Sequence, residues 1–264
     1  MRNVIIDTNN SKHKDKILLT AVVNSGMLDY TFNWIESLKK TNQDDCFLVF
    51  AIDEGVSETL TERGYGGQVT LIPEDWFHVP LSSDFSRWKT NAYRPITHAK
   101  TLIVERLLYL DITVWFSDVD IVLLDEHVRD VMLFQMNERP NTDMIFSQEV
   151  DQRTVNSGFY MMRPTYQSKQ LMHYIISEQD KTTLFTQQKI MNGVLRSMFG
   201  RDLQKSPYRL LDMLLFPNGK YYFRLDLPYK LGIKPMMVHA NYIVGDKKRE
   251  SLKAKDLWYI EEDE

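Results

Sequence analysis

The amino-acid sequence predicts an α/β fold, with a mostly parallel central sheet flanked by helices and a mixed α+β C-terminal half. Three observations predict it. Apolar runs rich in β-branched residues alternate with helical periodicities through the first half of the chain. These runs are apolar at nearly every position, as strands covered on both faces require. Later segments follow no fixed alternation and are punctuated by Pro207, Pro217, Pro228 and Pro235.

The first strand is Ile17 to Val23, closed by the turn signal Asn24, Ser25 and Gly26. Leu28, Phe32, Ile35 and Leu38 recur at helical spacing and predict a helix over 28–38. Phe47 to Ile52 is the second strand, ending at Asp53. Val56 to Arg63 suits a short helix before Gly64, and Val69 to Ile72 is the third strand. The segment from Pro73 to Arg94, with Trp76, Phe77, Phe85 and Trp88, is long and aromatic, which favours an ordered lid or site wall over a linker. Pro95 opens the next helix at a position proline favours. Ile96, Ala99, Ile103, Leu107 and Leu110 form its apolar stripe, with Lys100 at the edge. A strand over 114–122, a helix over 128–137 and strands over 144–146 and 159–162 follow. Helices over 166–178 and 186–199 come next, and the remainder is strand and loop, including an apolar strand that ends at His239.

Composition narrows the function classes. The chain has 264 residues, of which 43% are hydrophobic and 12% aromatic, enough for a sizeable core. Its net charge of −4 gives no basic footprint for a generic nucleic-acid partner. Cys46 is the single cysteine, so no internal disulfide or cysteine metal cluster can form, and a buried strand cysteine is expected. Residues 1–16 lack the apolar core of a signal peptide, and no run reaches the length of a membrane span. A cytoplasmic chain without a membrane span is the expectation. Without a repeat, low-complexity tract or linker, residues 1–264 read as one domain.

The richest chemistry lies in Val114 to Val122, where an apolar run breaks into Asp118 and Asp120 and then resumes. Side chains at i and i+2 of an extended segment share a side, so the two carboxylates are expected to converge at the carboxyl end of a buried strand. Ligands bind at that edge in open α/β sheets. Two buried carboxylates need a cation between them, and a hard divalent metal carrying a nucleotide diphosphate fits best. His239 ends another apolar strand and is followed by Gly245, Lys247 and Lys248, a coherent clasp for a diphosphate. Lys100 either snorkels or pairs with carboxylate or phosphate, and Asp53 either binds nucleotide or caps the next helix. Asn156, Ser157 and Gly158 form a polar turn before a strand. Gln188 and Asn192 share one helix face, by default a solvated one. Serine-histidine-acid triads, glycine-rich dinucleotide loops and Walker loops do not occur as recognisable motifs.

In this order, the segments Thr20–Gly26 (TAVVNSG), Phe116–Asp120 (FSDVD), Val155–Tyr160 (VNSGFY), Leu215–Gly219 (LFPNG) and His239–Gly245 (HANYIVG) resemble the nucleotide-diphospho-sugar transferase family. Its members are retaining glycosyltransferases of the GT-A type, including plant α-xylosyltransferases and cytosolic α-galactosyltransferases. The resemblance runs from about residue 17 to 258 and implies a Rossmann-like GT-A domain, with a nucleotide-binding half near 17–125 and a donor-sugar and acceptor half near 126–258. It implies a metal held by Asp118, Asp120 and His239. It also implies a nucleotide cradle from Asn24, Asp53 and the Asp118-Val119-Asp120 motif, with Lys100, Gly245 and Lys248 toward the diphosphate. Asn156, Ser157 and Gly158 would face the donor sugar, and Gln188 would lie beside the reacting carbon, sharing the catalytic work with Asp120. Related enzymes carry an Asp-Gln pair where this chain has Gln187 and Gln188. Many carry Gln-Ser-Asp where this chain has Ser147, Gln148 and Glu149, with Asp151 beyond.

The expected activity is transfer of a sugar, galactose or xylose first, from a UDP-sugar to a hydroxyl of a glycan or glycoprotein acceptor, with an α-linkage formed. Mixed oxygen and imidazole ligation favours manganese, with magnesium as the alternative. Two other classes compete. A haloacid-dehalogenase-like phosphohydrolase also carries Asp-x-Asp, with Asp118 as nucleophile, but its motif opens the domain on the first strand. The third is a non-catalytic module that binds sugar nucleotides or glycans on the same scaffold.

Overall fold

The computed structural model describes residues 5–7, 16–76, 93–182, 184–200 and 202–261. Phe77, Phe85 and Trp88 of the expected lid lie outside them. In chain order the elements are β1 (Ile6–Asp7), β2 (Lys16–Val23), α1 (Leu28–Lys40), β3 (Phe47–Ala51), α2 (Glu54–Leu60), β4 (Val69–Leu71), α3 (Tyr93–Tyr109), β5 (Thr113–Ser117) and β6 (Ile121–Leu123). Then come α4 (Val128–Glu138), β7 (Met144–Gln148), β8 (Val155–Met162), α5 (Tyr166–Lys181), α6 (Gln187–Phe199), β9 (Tyr208–Leu210), α7 (Leu227–Lys230), β10 (Met237–His239) and α8 (Asp246–Lys253).

The central sheet runs β4-β3-β2-β5-β8-β7-β9, with β1 paired to β2 off this path, and β6 and β10 form a separate two-stranded sheet. β4, β3, β2 and β5 are parallel neighbours. β8 is antiparallel to both β5 and β7, so β7 again runs with β5. Alternate residues of β2 divide between two cores. Ile17, Leu19, Ala21 and Val23 join α1, α2, α4 and β10 on one face, whereas Leu18 and Val22 join α3, α5 and α6 on the other. The strands are therefore apolar throughout because each face is covered.

Helix starts follow ordinary capping chemistry. The Thr165 hydroxyl accepts from Ser168 N–H at the head of α5, and the Thr186 hydroxyl accepts from Lys189 N–H at the head of α6. Three expectations need correction. Leu110 is 59% exposed: α3 stops at Tyr109 and Asp111 takes a left-handed backbone, φ 56°. Val104 and Leu108 fill the core beside Ile96, Ala99, Ile103 and Leu107 instead. The Asn156-Ser157-Gly158 segment is not a turn but the opening of β8. The region after residue 207 includes the helices α7 and α8. Cys46 is fully buried, as expected, but it lies one residue before β3, which begins at Phe47.

Candidate active site

Because β2, β3, β5 and β7 run together, their carboxyl ends line one edge, where Asn24, Asp53, Asp118 and Glu149 follow the strands. The antiparallel β8 brings its first residues to the same edge: Ser117 pairs with Phe159, and Asp118 N–H donates to Gly158 O at 2.7 Å. The expected extended geometry for the aspartates is corrected here. β5 ends at Ser117, and the chain turns through Val119 and Asp120 before β6 leaves the central sheet. The cause is the pairing of β6 with β10, which sets His239 opposite Ile121 and Ala240 N–H on Asp120 O at 2.9 Å. The turn still gathers the ligand atoms. Asp118, Asp120 and His239 each offer one, and all lie within 4.8 Å of one another. Val119 is buried against the core formed by α1, α4 and β10, so its side chain faces away from the solvent-facing cleft.

His239 is held by the 215–219 segment. Its N–H donates to Pro217 O at 3.1 Å, and Asn218 bridges to it. Gly219 passes so close to Asn241 that a Cβ there would sit 1.9 Å from the Asn241 carbonyl oxygen. On the other side, a Cβ on Gly158 would meet His239 Cε1 at 2.6 Å, Asp118 Oδ2 at 2.7 Å and Asn156 Oδ1 at 3.0 Å. The ligand cluster thus rests on bare backbone.

Two lysines complete the charge balance. Lys100 Nζ lies 2.5 Å from Asp118 Oδ1, and Lys248 Nζ lies 2.6 Å from Asp120 Oδ2, with His239 Nε2 3.1 Å from Asp120 Oδ1. Burial alone would lift the Asp120 carboxyl, but the Lys248 ammonium and His239 outweigh it and hold the group well below the ordinary carboxylate range. Burial pulls Lys248 down, and the Asp120 carboxylate reverses this, leaving the ammonium raised. Two carboxylates and an imidazole, converging at a strand edge with buried oxygen on Asp120, fit a divalent cation of mixed oxygen and nitrogen preference. The cleft also has its own cations to face an anionic ligand. Gly245 has φ 63° and immediately precedes α8, whose first turn carries Lys248.

The nucleotide-cradle residues are arranged as follows. Asn24 is buried at the end of β2, and its carbonyl accepts from Met27 N–H at 2.9 Å. Asp53 caps α2 through Val56 N–H at 3.2 Å, accepts Ser25 N–H at 2.9 Å and bonds the Ser25 hydroxyl. The cap alternative for Asp53 is therefore present, and the bonds to Ser25 tie it to the end of β2.

On the opposite wall, Gln188 is not a solvated side chain. Its Oε1 accepts Ser157 N–H at 3.2 Å, and its Nε2 donates to Glu149 Oε1 at 2.9 Å. Glu149 Oε1 also accepts Asn156 Nδ2 at 2.7 Å, and its Oε2 accepts the Tyr242 hydroxyl. Asn192 reads both ends of the Val155 peptide, N–H and carbonyl each at 2.9 Å, pinning α6 to β8. Gln187 is 2% exposed, and its Nε2 finds no partner among the described residues. Sequence reasoning placed Glu149 only loosely and missed Tyr242. The phenol lies inside the His239–Gly245 motif, and its left-handed backbone, φ 61°, is what turns it toward Glu149.

A family model described as nucleotide-diphospho-sugar transferase matches residues 42–252. The chain is 27% identical to the UDP-galactose:fucoside alpha-3-galactosyltransferase of Dictyostelium discoideum, over 96% of this chain and 44% of that protein. It is 23% identical to UDP-D-xylose:L-fucose alpha-1,3-D-xylosyltransferase 1 of Arabidopsis thaliana, over 94% of this chain and 72% of that one. The chain therefore spans less than half of the first relative's length. Among solved structures, the galactosyltransferase LgtC, bound to donor and acceptor sugar analogues, superposes with a TM-score of 0.56 at 14% identity, covering 92% of this chain and 94% of that one. The glycosyltransferase GlyE of Streptococcus pneumoniae gives 0.58 at 14% identity, covering 94% and 61%. These likenesses show the fold, a GT-A arrangement with its mostly parallel sheet. Among the described residues, no helix is long and apolar enough to cross a membrane.

Proposed function

This chain belongs to the nucleotide-diphospho-sugar transferase family, and from that membership and the site geometry we propose that it transfers a sugar from a UDP-sugar to a glycan hydroxyl with retention, forming an α-linkage. The observation that carries the reading is the convergence of Asp118, Asp120 and His239 within 4.8 Å at the carboxyl edge of the sheet, flanked by Lys100 and Lys248. Asp118, Asp120 and His239 would hold a divalent metal, manganese for preference. When bound, that metal supplies Lewis-acid neutralisation of charge on the leaving diphosphate.

The protein groups have separate tasks. Lys100 and Lys248 hold their ammonium groups at the site through the two aspartates, where they add positive potential for the diphosphate. Gly158, bare of a side chain, lets Asp118 and His239 pack directly on the β8 backbone. Gln188 presents a fixed amide beside the reacting carbon, a polar contact suited to positive charge developing on the sugar. Asn24 and Asp53, at the ends of neighbouring strands, suit the nucleoside. A front-face route, in which the departing phosphate oxygen takes the acceptor proton, asks for no nucleophile from these side chains.

Galactose and xylose are the first donors to test, and both named relatives transfer to fucose, so a fucosyl glycan is the first acceptor. The phosphohydrolase alternative loses its context, since the aspartates follow the fifth strand rather than the first. The test is turnover of UDP-galactose and UDP-xylose with a fucoside acceptor, in manganese and in EDTA, with proton NMR of the fresh product. Metal-dependent formation of an α-linked product is expected. No turnover of any UDP-sugar, or a β-linked product, contradicts the proposal.

A further inference from the structure

Glu149 gathers three donors from three separate elements onto one carboxylate: Asn156 from β8, Gln188 from α6 and Tyr242 from the loop behind the metal-site histidine. We infer that Glu149 is the positioning residue that fixes the Gln188 amide in one orientation, coupling it to the loop that carries His239. The inference rests on the role proposed above for Gln188.

A glutamine amide can turn over and exchange its oxygen and nitrogen at little steric cost. Here turning it over is opposed at both ends. Gln188 Oε1 faces the Ser157 N–H at 3.2 Å and Nε2 faces Glu149 Oε1 at 2.9 Å. Reversal would set the amide oxygen against a carboxylate and the amide NH2 against a backbone donor. The bond to the carboxylate is charge-assisted and the stronger of the two. Glu149 is itself held, because Asn156 Nδ2 approaches the same oxygen at 2.7 Å while Tyr242 takes the other. Asn156 in turn accepts Gly158 N–H at 2.8 Å through Oδ1, which fixes its own amide. A chain of assigned orientations thus runs from the Gly158 backbone, under the metal ligands, to Gln188. Gln187, one residue earlier on the helix, is buried and its Nε2 has no hydrogen-bond partner among the described residues, so it adds nothing to the bonds on Glu149.

The test compares Glu149→Gln with Gln188→Ala in the full chain. Replacing the carboxylate with an amide keeps the volume but lets position 149 donate as well as accept, so the Gln188 amide is free to turn. Glu149→Gln should lower kcat about 10- to 100-fold, the scale of a misplaced group, with KM for the UDP-sugar changed less than about twofold. In parallel, the Gln188 side-chain NH2 signals in 15N NMR, assigned by their loss in Gln188→Ala, should shift and lose exchange protection. Tyr242→Phe, which leaves the Gln188 bond in place, should keep those signals where they are. Unchanged Gln188 signals in Glu149→Gln, or kcat within about twofold of the parent, overturn the inference. Glu149→Asp, which withdraws the charge by one methylene, gives the same two readouts if Glu149→Gln does not fold. A normal kcat in Gln188→Ala instead removes Gln188 from the chemistry, and the NMR signals then still decide whether Glu149 holds it.

Discussion

Replacing Gly158 with alanine tests the site through a position that carries no functional group. The added methyl would lie 2.6 Å from His239 Cε1 and 2.7 Å from Asp118 Oδ2. Carbon contacts settle at about 3.5–4.0 Å, so His239 must retreat by roughly 1 Å, and Asp118 must move with it. Metal–ligand distances tolerate only about 0.2 Å. The displacement therefore exceeds the tolerance several-fold for two of three ligands at once. Metal affinity should fall at least 10- to 100-fold, the scale seen when ligand orientation is lost. Overpacking of this kind costs about 1–3 kcal/mol. An unfolding entropy of about 2.1 cal/mol/K per residue over 264 residues turns that into a fall in Tm of about 2–5 °C. Gly193→Ala is the matched control. Gly193 is exposed on α6 with nothing within 4 Å of its added Cβ, and it should gain about 0.5–1 kcal/mol. Thermal melts and manganese titration calorimetry in the presence of UDP measure both effects. A Gly158→Ala protein with parental Tm and manganese affinity within twofold would refute the packing of Asp118 and His239 over residue 158.

Gly219→Ala should be the more damaging change to folding, because its methyl meets the Asn241 carbonyl oxygen at 1.9 Å and backbone on both sides must move; a Tm equal to that of the parent in a melt would contradict the packing of 215–219 on the His239 loop. Asn192→Ala leaves both polar groups of Val155 without their side-chain partner, and chemical denaturation should show a loss of about 1–3 kcal/mol. Burial, with Asp45 adding to it, raises the Cys46 thiol from 9.0 to about 11. Its unfolded value is lower, so the stabilising contribution is complete below about pH 8.5 and is lost as pH rises toward 11. Cys46→Ala should flatten this alkaline decline in a pH series of melts, and the parental thiol at pH 8 should react with a thiol reagent at less than about a tenth of the unfolded rate.

Much of this molecule is legible in its sequence because its strands are covered on both faces and its longer helices carry a clear apolar period. Ile17–Val23 and Phe47–Ala51 read as strands, and Leu28–Leu38 as helix, for that reason. Periodicity does not say where a helix stops. The stripe of α3 runs on to Leu110 in register, yet the helix stops one residue short, at Tyr109, where the left-handed backbone at Asp111 follows. The start of β8 was illegible because Asn156, Ser157 and Gly158 read as turn residues, although Glu149, Gln188 and Asn192 bond this stretch as part of a strand. α8 was missed because it buries only Leu252 and so has no apolar period to read. Within the site, the carboxylate pair and His239 announce themselves by standing in apolar surroundings. Glu149 and Tyr242 do not, because their meeting depends on a bend after β10 and not on any local pattern.

The central claim is that Asp118, Asp120 and His239 bind a divalent metal that shares the diphosphate of a uridine nucleotide with Lys100 and Lys248. Isothermal titration of UDP into the unmodified chain, with manganese and then with EDTA, tests it most directly. UDP affinity should fall at least tenfold when the metal is removed, and the metal-dependent part should vanish in Asp120→Ala and His239→Ala while their melts remain cooperative. Equal UDP affinity with and without manganese, or a metal effect that survives both substitutions, would contradict the account.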